Sequence, residues 1–215
     1  VFGKKMVEEG RVITVPNAID AAEFAFSEKT REKKRADLGI GAREFVIGHV
    51  GRFGHMKNHA FLLDVFAEIH KKLPDSRLLL VGEGGLMDSV REKAASLGLS
   101  GRVIFTGNQA RVADFYMAMD LFVFPSLFEG LPGSVIEAQA AGLRCLVSDS
   151  VTDEVLITPL AQARSLAEGA AAWAQEVLSG RDYEREQMAQ AIKDAGFDVS
   201  DQVKFLEKLY LGERN

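Results

Sequence analysis

The sequence predicts an α/β fold in which a doubly wound parallel sheet is followed by C-terminal helices. Short apolar segments alternate with helical segments through residues 45–148, which is typical of parallel sheets with right-handed crossovers. The segment at 45–50 is an almost continuous apolar run, as expected of a strand that is covered on both faces. Loops rich in glycine follow three of the strands, at the edge where ligands bind in open α/β sheets.

Apolar runs and turn residues place each element in order. They predict strands at residues 11–15, 45–50, 77–81, 103–106, 121–124 and 144–148, with a last, shorter strand at 155–158. Helical spacing, with glycine or proline near the ends, predicts helices at residues 28–38, 58–73, 86–97, 112–119 and 135–141, and residues 2–10 resemble the end of another. From residue 161 onward we expect helices only, at 167–178, 181–195 and 200–211.

The predicted helices differ in the faces that they present. The segment at 28–38 is dense in Lys, Arg and Glu, which indicates an exposed helix. The segment at 58–73 carries one apolar stripe that faces the core. The segment at 200–211 also carries an apolar stripe, formed by Val203, Phe205, Leu206, Leu209 and Tyr210. Trp173 lies in an Ala-rich helix, so we expect it to pack in the core.

Composition indicates a globular protein with one large domain, or one domain with appendages. The chain has 215 residues, of which 47% are hydrophobic and 27% charged. Its net charge of −5 comes without a basic run, which argues against a nucleic-acid partner. No apolar run approaches 18 residues, so neither a transmembrane helix nor a signal peptide is predicted. Cys145 is the single cysteine and is expected to be a buried apolar residue, consistent with a cytoplasmic location.

The stretch at 128–138 is the first candidate site. Glu129 lies in the loop between a predicted strand and a short helix, the place where α/β sheets bind ligands. Gly130 and Gly133 allow the backbone to approach a ligand, and the helix start offers N–H groups to an anion. Glu129 and Glu137 are able to converge on the paired hydroxyls of a ribose or a hexose. Taken alone, both glutamates are equally well explained as surface residues that the helix dipole favours.

A second candidate loop follows the strand at 45–50. It contains Arg52 and Lys57 directly before a helix, and two cations beside a helix dipole form a diphosphate-sized site without a metal. Either residue alone is more simply a surface charge. The loop at 82–85 resembles a nucleotide-binding turn, but it lacks the Gly-x-Gly-x-x-Gly pattern of a nicotinamide site.

Neither a metal site nor a hydrolase triad is predicted. His55 and His59 have a spacing that zinc ligands use, yet no cysteine or carboxylate completes a set. His49 ends a buried strand and is either a core histidine or a residue that lines a pocket. The sequence has no Gly-x-Ser-x-Gly elbow.

Four segments together resemble the C-terminal domain of retaining GT-B glycosyltransferases of family 4 (group 1), and bacterial capsular and exopolysaccharide enzymes look most similar. The segments are Gly48-His49-Val50-Gly51-Arg52 with Lys57-Asn58, Leu79-Leu80-Val81-Gly82-Glu83-Gly84, Val103-Ile104-Phe105-Thr106-Gly107, and Phe124-Pro125-Ser126-Leu127-Phe128-Glu129-Gly130-Leu131-Pro132 with Ile136-Glu137-Ala138. The resemblance covers residues 11–210. Its specific element is the Arg…Lys pair followed by Glu-x7-Glu.

The resemblance implies a Rossmann-like domain that binds a nucleotide-sugar donor, expected to be a UDP-sugar. Arg52, Lys57 and Glu129 would be the catalytic residues: the cations neutralise the diphosphate and Glu129 contacts sugar hydroxyls. Glu137 would hold the ribose hydroxyls. The other implied donor-binding residues are Gly51, Gly82, Gly107, Gly130, Leu131, Pro132, Gly133 and Ser134, with backbone N–H groups of 131–134 reaching the sugar or phosphate. The resemblance implies no obligatory metal or other cofactor. Because relatives usually carry bulkier apolar residues at Gly133 and Ser134, the sugar preference stays open.

The resemblance also implies a division of the chain. Residues 1–17 would be a remnant of an N-terminal acceptor-binding domain with its linker, residues 18–198 the donor domain, and residues 199–215 a helix that crosses back. The chain begins with Val, so we expect a piece of a longer protein. Without the N-terminal domain, the apolar stripe of the last helix would dock on this domain or on another molecule.

We therefore expect the donor-binding domain of a cytoplasmic glycosyltransferase of polysaccharide biosynthesis, with little or no transfer activity by itself. The missing domain would bind a glycan or lipid-linked acceptor, and the full-length enzyme would be able to associate with the inner face of the membrane. Two alternatives stay open. One is a sugar-nucleotide epimerase on a related fold, and the other is a non-catalytic nucleotide-binding module.

Overall fold

The computed structural model describes residues 6, 12, 13 and 15–211, and in that part of the chain it shows one six-stranded sheet. The strands are β1 (Phe45–Val50), β2 (Ser76–Val81), β3 (Val103–Phe105), β4 (Leu121–Phe124), β5 (Arg144–Ser148) and β6 (Ala161–Arg164). Their order is β3-β2-β1-β4-β5-β6, and neighbouring strands run parallel. The predicted α/β class with a doubly wound parallel sheet is confirmed.

Helices cover both faces of the sheet. They are α1 (Glu28–Asp37), α2 (His59–Lys72), α3 (Met87–Ser96), α4 (Ala113–Ala118), α5 (Gly133–Ala140), α6 (Gly169–Ser179), α7 (Ala189–Asp194) and α8 (Val199–Leu211). Short 3-10 turns lie at His55–Lys57, Asp153–Val155 and Leu166–Glu168. Among the described residues, no helix combines the length and the apolar character that crossing a membrane requires.

The strands bury side chains on both faces, which explains their continuous apolar runs. Val46 of β1 and Phe122 of β4 pack in one core, together with residues of α4 and α5. Their neighbours Ile47 and Leu121 pack in the other core, with residues of α2 and α6. Trp173 is fully buried in this second core, as predicted, and its Nε1 donates to the Ser165 carbonyl at 2.9 Å. Cys145 is also buried, as predicted.

The last strand lies later in the chain than the sequence indicates. Residues 155–158 are not a strand: Val155 ends a 3-10 turn, and both polar groups of Thr158 donate to the Gln139 side chain, N–H at 2.9 Å and Oγ1 at 3.0 Å. The edge strand is β6, within the region for which only helices are predicted. Its sequence, Ala-Gln-Ala-Arg, has no apolar run because an edge strand is partly exposed, and its pairing with β5 determines its conformation.

The predicted helix at 181–195 is also wrong in its first half, because only Ala189–Asp194 is helical. Residues 181–188 follow an irregular path that tertiary hydrogen bonds hold. The Arg185 guanidinium donates to the carbonyls of Tyr116, Met117, Met119 and Ala141. Tyr183 Oη donates to the Asp120 carbonyl at 2.9 Å. These bonds to the ends of α4 and β4 override the helical pattern of the local sequence.

The predictions for the two ends of the chain are tested only in part. The helix predicted at 2–10 lies outside the described residues except for Met6, which is helical. Arg11 and Thr14 also lie outside the described residues. Val12, Ile13 and Val15 are not in a strand, in contrast to the prediction for 11–15. Within the described residues, the C-terminal helix α8 buries no side chain and leaves apolar residues such as Phe205 and Tyr210 exposed, so the docking of its stripe stays a prediction. The division at residues 17 and 198 stays a prediction.

Candidate functional site

The winding of the sheet changes direction between β1 and β4. From β1 the chain moves outward through β2 to β3, and it then returns to β4 and moves outward the other way. The loops that follow β1 and β4 therefore part from each other at the carboxyl edge and leave a crevice, the place where doubly wound folds bind ligands. The Leu127 N–H donates to the Met56 carbonyl at 2.8 Å and ties the two loops together.

The loops after β1, β2 and β3 also meet at this edge. The Gly51 N–H donates to the Val81 carbonyl at 3.0 Å, and the Gly82 N–H donates to the Gly107 carbonyl at 2.9 Å. Gly82 has φ 133°, and a Cβ at this position would lie 2.2 Å from the Gly51 carbonyl oxygen. Glycine is therefore required at residue 82 both by its backbone conformation and by the close approach of the two loops.

The two predicted cations lie in different environments. Arg52 is exposed, and its side chain makes no hydrogen bond or ion pair with the part of the chain that the structure describes. Lys57 is largely buried: its Nζ lies 2.8 Å from Glu129 Oε1 and 4.5 Å above the ring centre of Phe124. The structure thus brings Lys57 and Glu129 together from the loops after β1 and β4.

Helix α5 begins two residues earlier than predicted, at Gly133. Gly133 and Ser134 therefore lie in its first turn, no side chain caps it, and neither N–H has a partner among the described residues. These are the N–H groups that a helix start offers to an anion. Pro132 has no N–H, so the prediction that every backbone N–H of residues 131–134 donates to the ligand is wrong at this position. Leu131 packs partly against the core. Gly130 is exposed in the loop.

Glu137 lies one turn further along α5 and does not pair with the cations. Its Oε2 lies 2.7 Å from Tyr116 Oη, which is also 3.0 Å from the Ser134 carbonyl oxygen. Burial raises the pKa of Glu137 above its ordinary value, and the hydrogen bond from Tyr116 opposes this shift in part. Burial raises the pKa of Tyr116 well above its ordinary value, so its hydroxyl keeps its proton.

Sequence reasoning missed Tyr116 as a residue of this site. The sequence contained one signal: the residue is a tyrosine in α4, a short helix whose other buried residues are Ala, Phe and Met. A buried tyrosine hydroxyl needs a hydrogen-bond partner. The sequence does not indicate that the partner is Glu137, because the contact depends on how α4 packs beside α5.

His49 belongs to the core beneath the site. It is fully buried, its ring contacts the Val123 carbonyl oxygen through Nδ1 at 2.9 Å, and it stacks on Phe124. Burial lowers its pKa well below the ordinary value, so the ring is neutral. Of the other two histidines considered, His55 is exposed and His59 is buried. The described residues contain no group of three or more His, Cys, Asp or Glu side chains that could hold a metal ion.

Comparisons with known proteins agree with this fold. The family model for glycosyl transferases group 1 matches residues 30–195. The putative glycosyltransferase EpsF of Bacillus subtilis (strain 168) is 36% identical over 98% of this chain and 56% of that protein. The UDP-Gal:alpha-D-GlcNAc-diphosphoundecaprenol alpha-1,3-galactosyltransferase of Escherichia coli is 32% identical over 66% of this chain and 38% of that protein.

Solved structures show the same architecture. The crystal structure of Anabaena Alr3699/HepE in complex with UDP has a TM-score of 0.78 at 21% identity, over 92% of this chain and 57% of that one. The fold and the site edge define a GT-B-type Rossmann-like domain. The chain belongs to the group 1 glycosyltransferase family, whose members are enzymes, and it spans about half the length of the curated relatives it matches.

Proposed function

We propose that this chain is the donor-binding domain of a glycosyltransferase that transfers a sugar from a UDP-sugar to a glycan or lipid-linked acceptor. The observation that carries the proposal is the meeting of Lys57 and Glu129, 2.8 Å apart, at the switch point between β1 and β4. A cation for phosphate and a carboxylate for hydroxyls thus lie side by side where a donor's diphosphate joins its sugar.

The diphosphate would lie between Arg52, Lys57 and the start of α5. Both cations are on the loop after β1, and the N–H groups of Gly133 and Ser134 are without partners in the described chain. When the bond from the sugar's anomeric carbon to the phosphate oxygen breaks, negative charge develops on the departing diphosphate. Two cations and a helix dipole stabilise that charge where it forms. This arrangement needs no metal ion, and we propose that the domain works without one.

The two glutamates would hold the two hydroxyl-bearing parts of the donor. A diphosphate that draws Lys57 toward itself leaves Glu129 to accept hydrogen bonds from the sugar hydroxyls. Glu137 would accept from the ribose hydroxyls, since its Oε1 has no donor among the described residues. The loops of Gly82 and Gly107 lie beside the Gly51 loop and would flank the base.

The names of similar proteins support a uridine donor and a lipid-linked acceptor. The Escherichia coli relative is named for UDP-Gal and for a diphosphoundecaprenol acceptor, and the HepE crystal contains UDP. The rest of a full-length protein would bind the acceptor, and a lipid-linked acceptor would bring it to the inner face of the membrane from the cytoplasm. A role in polysaccharide biosynthesis follows from such an acceptor.

Calorimetric titration of the chain with UDP, GDP and ADP tests the proposal. We expect UDP to bind most tightly, with the same affinity in EDTA. No binding of UDP by the folded chain, or equal binding of the three nucleotides, would contradict it. In a full-length protein, Arg52→Ala and Lys57→Ala should each abolish transfer to the acceptor. Unchanged transfer would show that the site is not catalytic.

A further inference from the structure

Tyr116 is a buried polar residue that the proposed chemistry does not use. It is fully buried in α4, and its ring is fixed by Phe24 at 5.8 Å and Phe122 at 5.7 Å between ring centres. Its hydroxyl lies at the side of α5, close to the first two turns of that helix. The ring is thus held by apolar packing, while the hydroxyl is directed toward the candidate site.

The Tyr116 hydroxyl donates its hydrogen bond to the Glu137 carboxylate. A phenol has one proton, and Tyr116 Oη has two acceptors within reach: Glu137 Oε2 at 2.7 Å and the Ser134 carbonyl oxygen at 3.0 Å. The carboxylate is closer and charged, and hydrogen bonds to ionised acceptors are stronger and shorter. Among the described residues, Tyr116 is the one donor to the Glu137 side chain.

The second carboxylate oxygen points toward the start of α5. A Cβ built on Gly133 would lie 4.0 Å from Glu137 Oε1, so this oxygen is beside the first residue of the helix. That is where the uncapped N–H groups of Gly133 and Ser134 lie. Tyr116 therefore contacts one oxygen of Glu137 from the core side and leaves the other oxygen for a ligand.

We propose that Tyr116 is a positioning residue, which holds Glu137 so that Oε1 accepts a ribose hydroxyl of a nucleoside diphosphate. This inference rests on the proposed function of the site. Tyr116 acts through Glu137 and does not touch the ligand. Without the hydroxyl, the carboxylate has no donor on its buried side, so it loses its fixed orientation and part of its preference for the ionised form.

The test compares Tyr116→Phe with the unaltered chain, using UDP and 2′,3′-dideoxy-UDP as calorimetric ligands. Phenylalanine keeps the ring and its packing. We expect the affinity for UDP to fall about tenfold, as for the loss of one hydrogen bond to a charged group, and the affinity for dideoxy-UDP to change less than twofold. If Tyr116 had a structural role alone, the substitution would lower the affinities for both ligands by the same factor, and that result would overturn the proposal.

Two further variants serve as controls for this test. Tyr183→Phe removes another largely buried hydroxyl, which bonds to the Asp120 carbonyl away from the site, and should leave the ratio of the two affinities unchanged. In a Glu137→Gln background, Tyr116→Phe should weaken UDP binding much less than it does alone, whereas an additive loss would refute the coupling. If the unaltered folded chain binds no UDP, the proposed function fails; if it binds UDP and only these contrasts fail, the positioning role alone is wrong.

Discussion

Lys57 and Glu129 form an ion pair with 2.8 Å between Nζ and Oε1, across the crevice between β1 and β4. The side chains are 18% and 23% exposed, so water screens the pair less than it screens a surface pair. In the proposed function these residues contact neighbouring parts of one donor. A diphosphate that binds there competes with Glu129 for Lys57, and the pair therefore couples phosphate binding to sugar binding.

Glu129→Gln is predicted to separate these two effects. The change frees Lys57 and removes a negative charge beside the diphosphate, so UDP should bind about threefold or more tightly, which corresponds to about 0.7 kcal/mol. UDP-glucose and UDP-galactose should lose their advantage over UDP, because a carboxylate no longer accepts from the sugar. Calorimetry measures all three ligands. Glu32→Gln, at an exposed position of α1, is the control, and weaker UDP binding in Glu129→Gln would argue against the competition.

Arg52→Ala should weaken nucleotide binding without a cost in stability. Its side chain is exposed and has no partner among the described residues, so the Tm should change by no more than about 1 °C. The loss of a charge-assisted contact to phosphate should lower the affinity for UDP by about tenfold to a hundredfold. Arg43→Ala is a matched control, because Arg43 is also exposed but lies before β1, at the opposite edge of the sheet. Equal effects of both substitutions would show that only general charge matters.

UDP affinity should fall as the pH is lowered through the raised pKa of Glu137. Burial, together with the charge of Glu23, raises the pKa of Glu137 above its ordinary value of 4.5, while the Tyr116 hydrogen bond opposes the shift. Below the raised pKa the carboxyl is protonated and accepts a ribose hydroxyl less well. Dideoxy-UDP carries the same diphosphate and should show a weaker pH dependence. Identical pH profiles for the two ligands would exclude Glu137 as the titrating group.

The same raised pKa has a consequence for stability. Between 4.5 and the raised value, the folded chain binds a proton that the unfolded chain has lost, so the contribution of Glu137 to stability falls as the pH rises through that window. Glu137→Gln should remove this part of the dependence, and thermal unfolding of both chains at several pH values measures it.

Gly82→Ala should disturb both the fold and the site. At φ 133° an alanine is strained, and its Cβ would lie 2.2 Å from the Gly51 carbonyl oxygen. Backbone strain of about 2 kcal/mol should lower the Tm by about 4–8 °C and displace the Arg52 loop, weakening UDP binding. Gly85→Ala is the control in the same loop, since a Cβ there would meet nothing within 4 Å. A Tm loss of the same size in Gly85→Ala would contradict the steric explanation.

The elements around the crevice could be predicted from the sequence, because their signals are local. Strands β1 and β4 are short apolar runs, and the Arg52–Lys57 and Glu129–Glu137 pairs have motif spacing. The edge strand β6 has no such signal, since pairing with β5 determines it. The irregular path of residues 181–188 likewise depends on tertiary bonds from Arg185 to carbonyls at the end of α4.

Two contacts of the site also could not be predicted from the sequence. The Lys57–Glu129 pair joins residues 72 positions apart (129 − 57), and the Tyr116–Glu137 contact joins two helices. Each depends on the packing of separate elements at the carboxyl edge of the sheet. Motif spacing identified which residue types were present but gave no information on which of them would pair.

The most direct test of the central claim is an NMR titration of the nitrogen-15-labelled chain with UDP. If the loops after β1 and β4 and the start of α5 form one diphosphate site, the amides of Gly51, Arg52, Gly133 and Ser134 should shift together along one binding curve. The amides of Gly39 and Gly98, which follow α1 and α3 at the other edge of the sheet, should not shift. Shifts confined to that other edge, or none at millimolar UDP, would contradict the assignment of this crevice as the donor site.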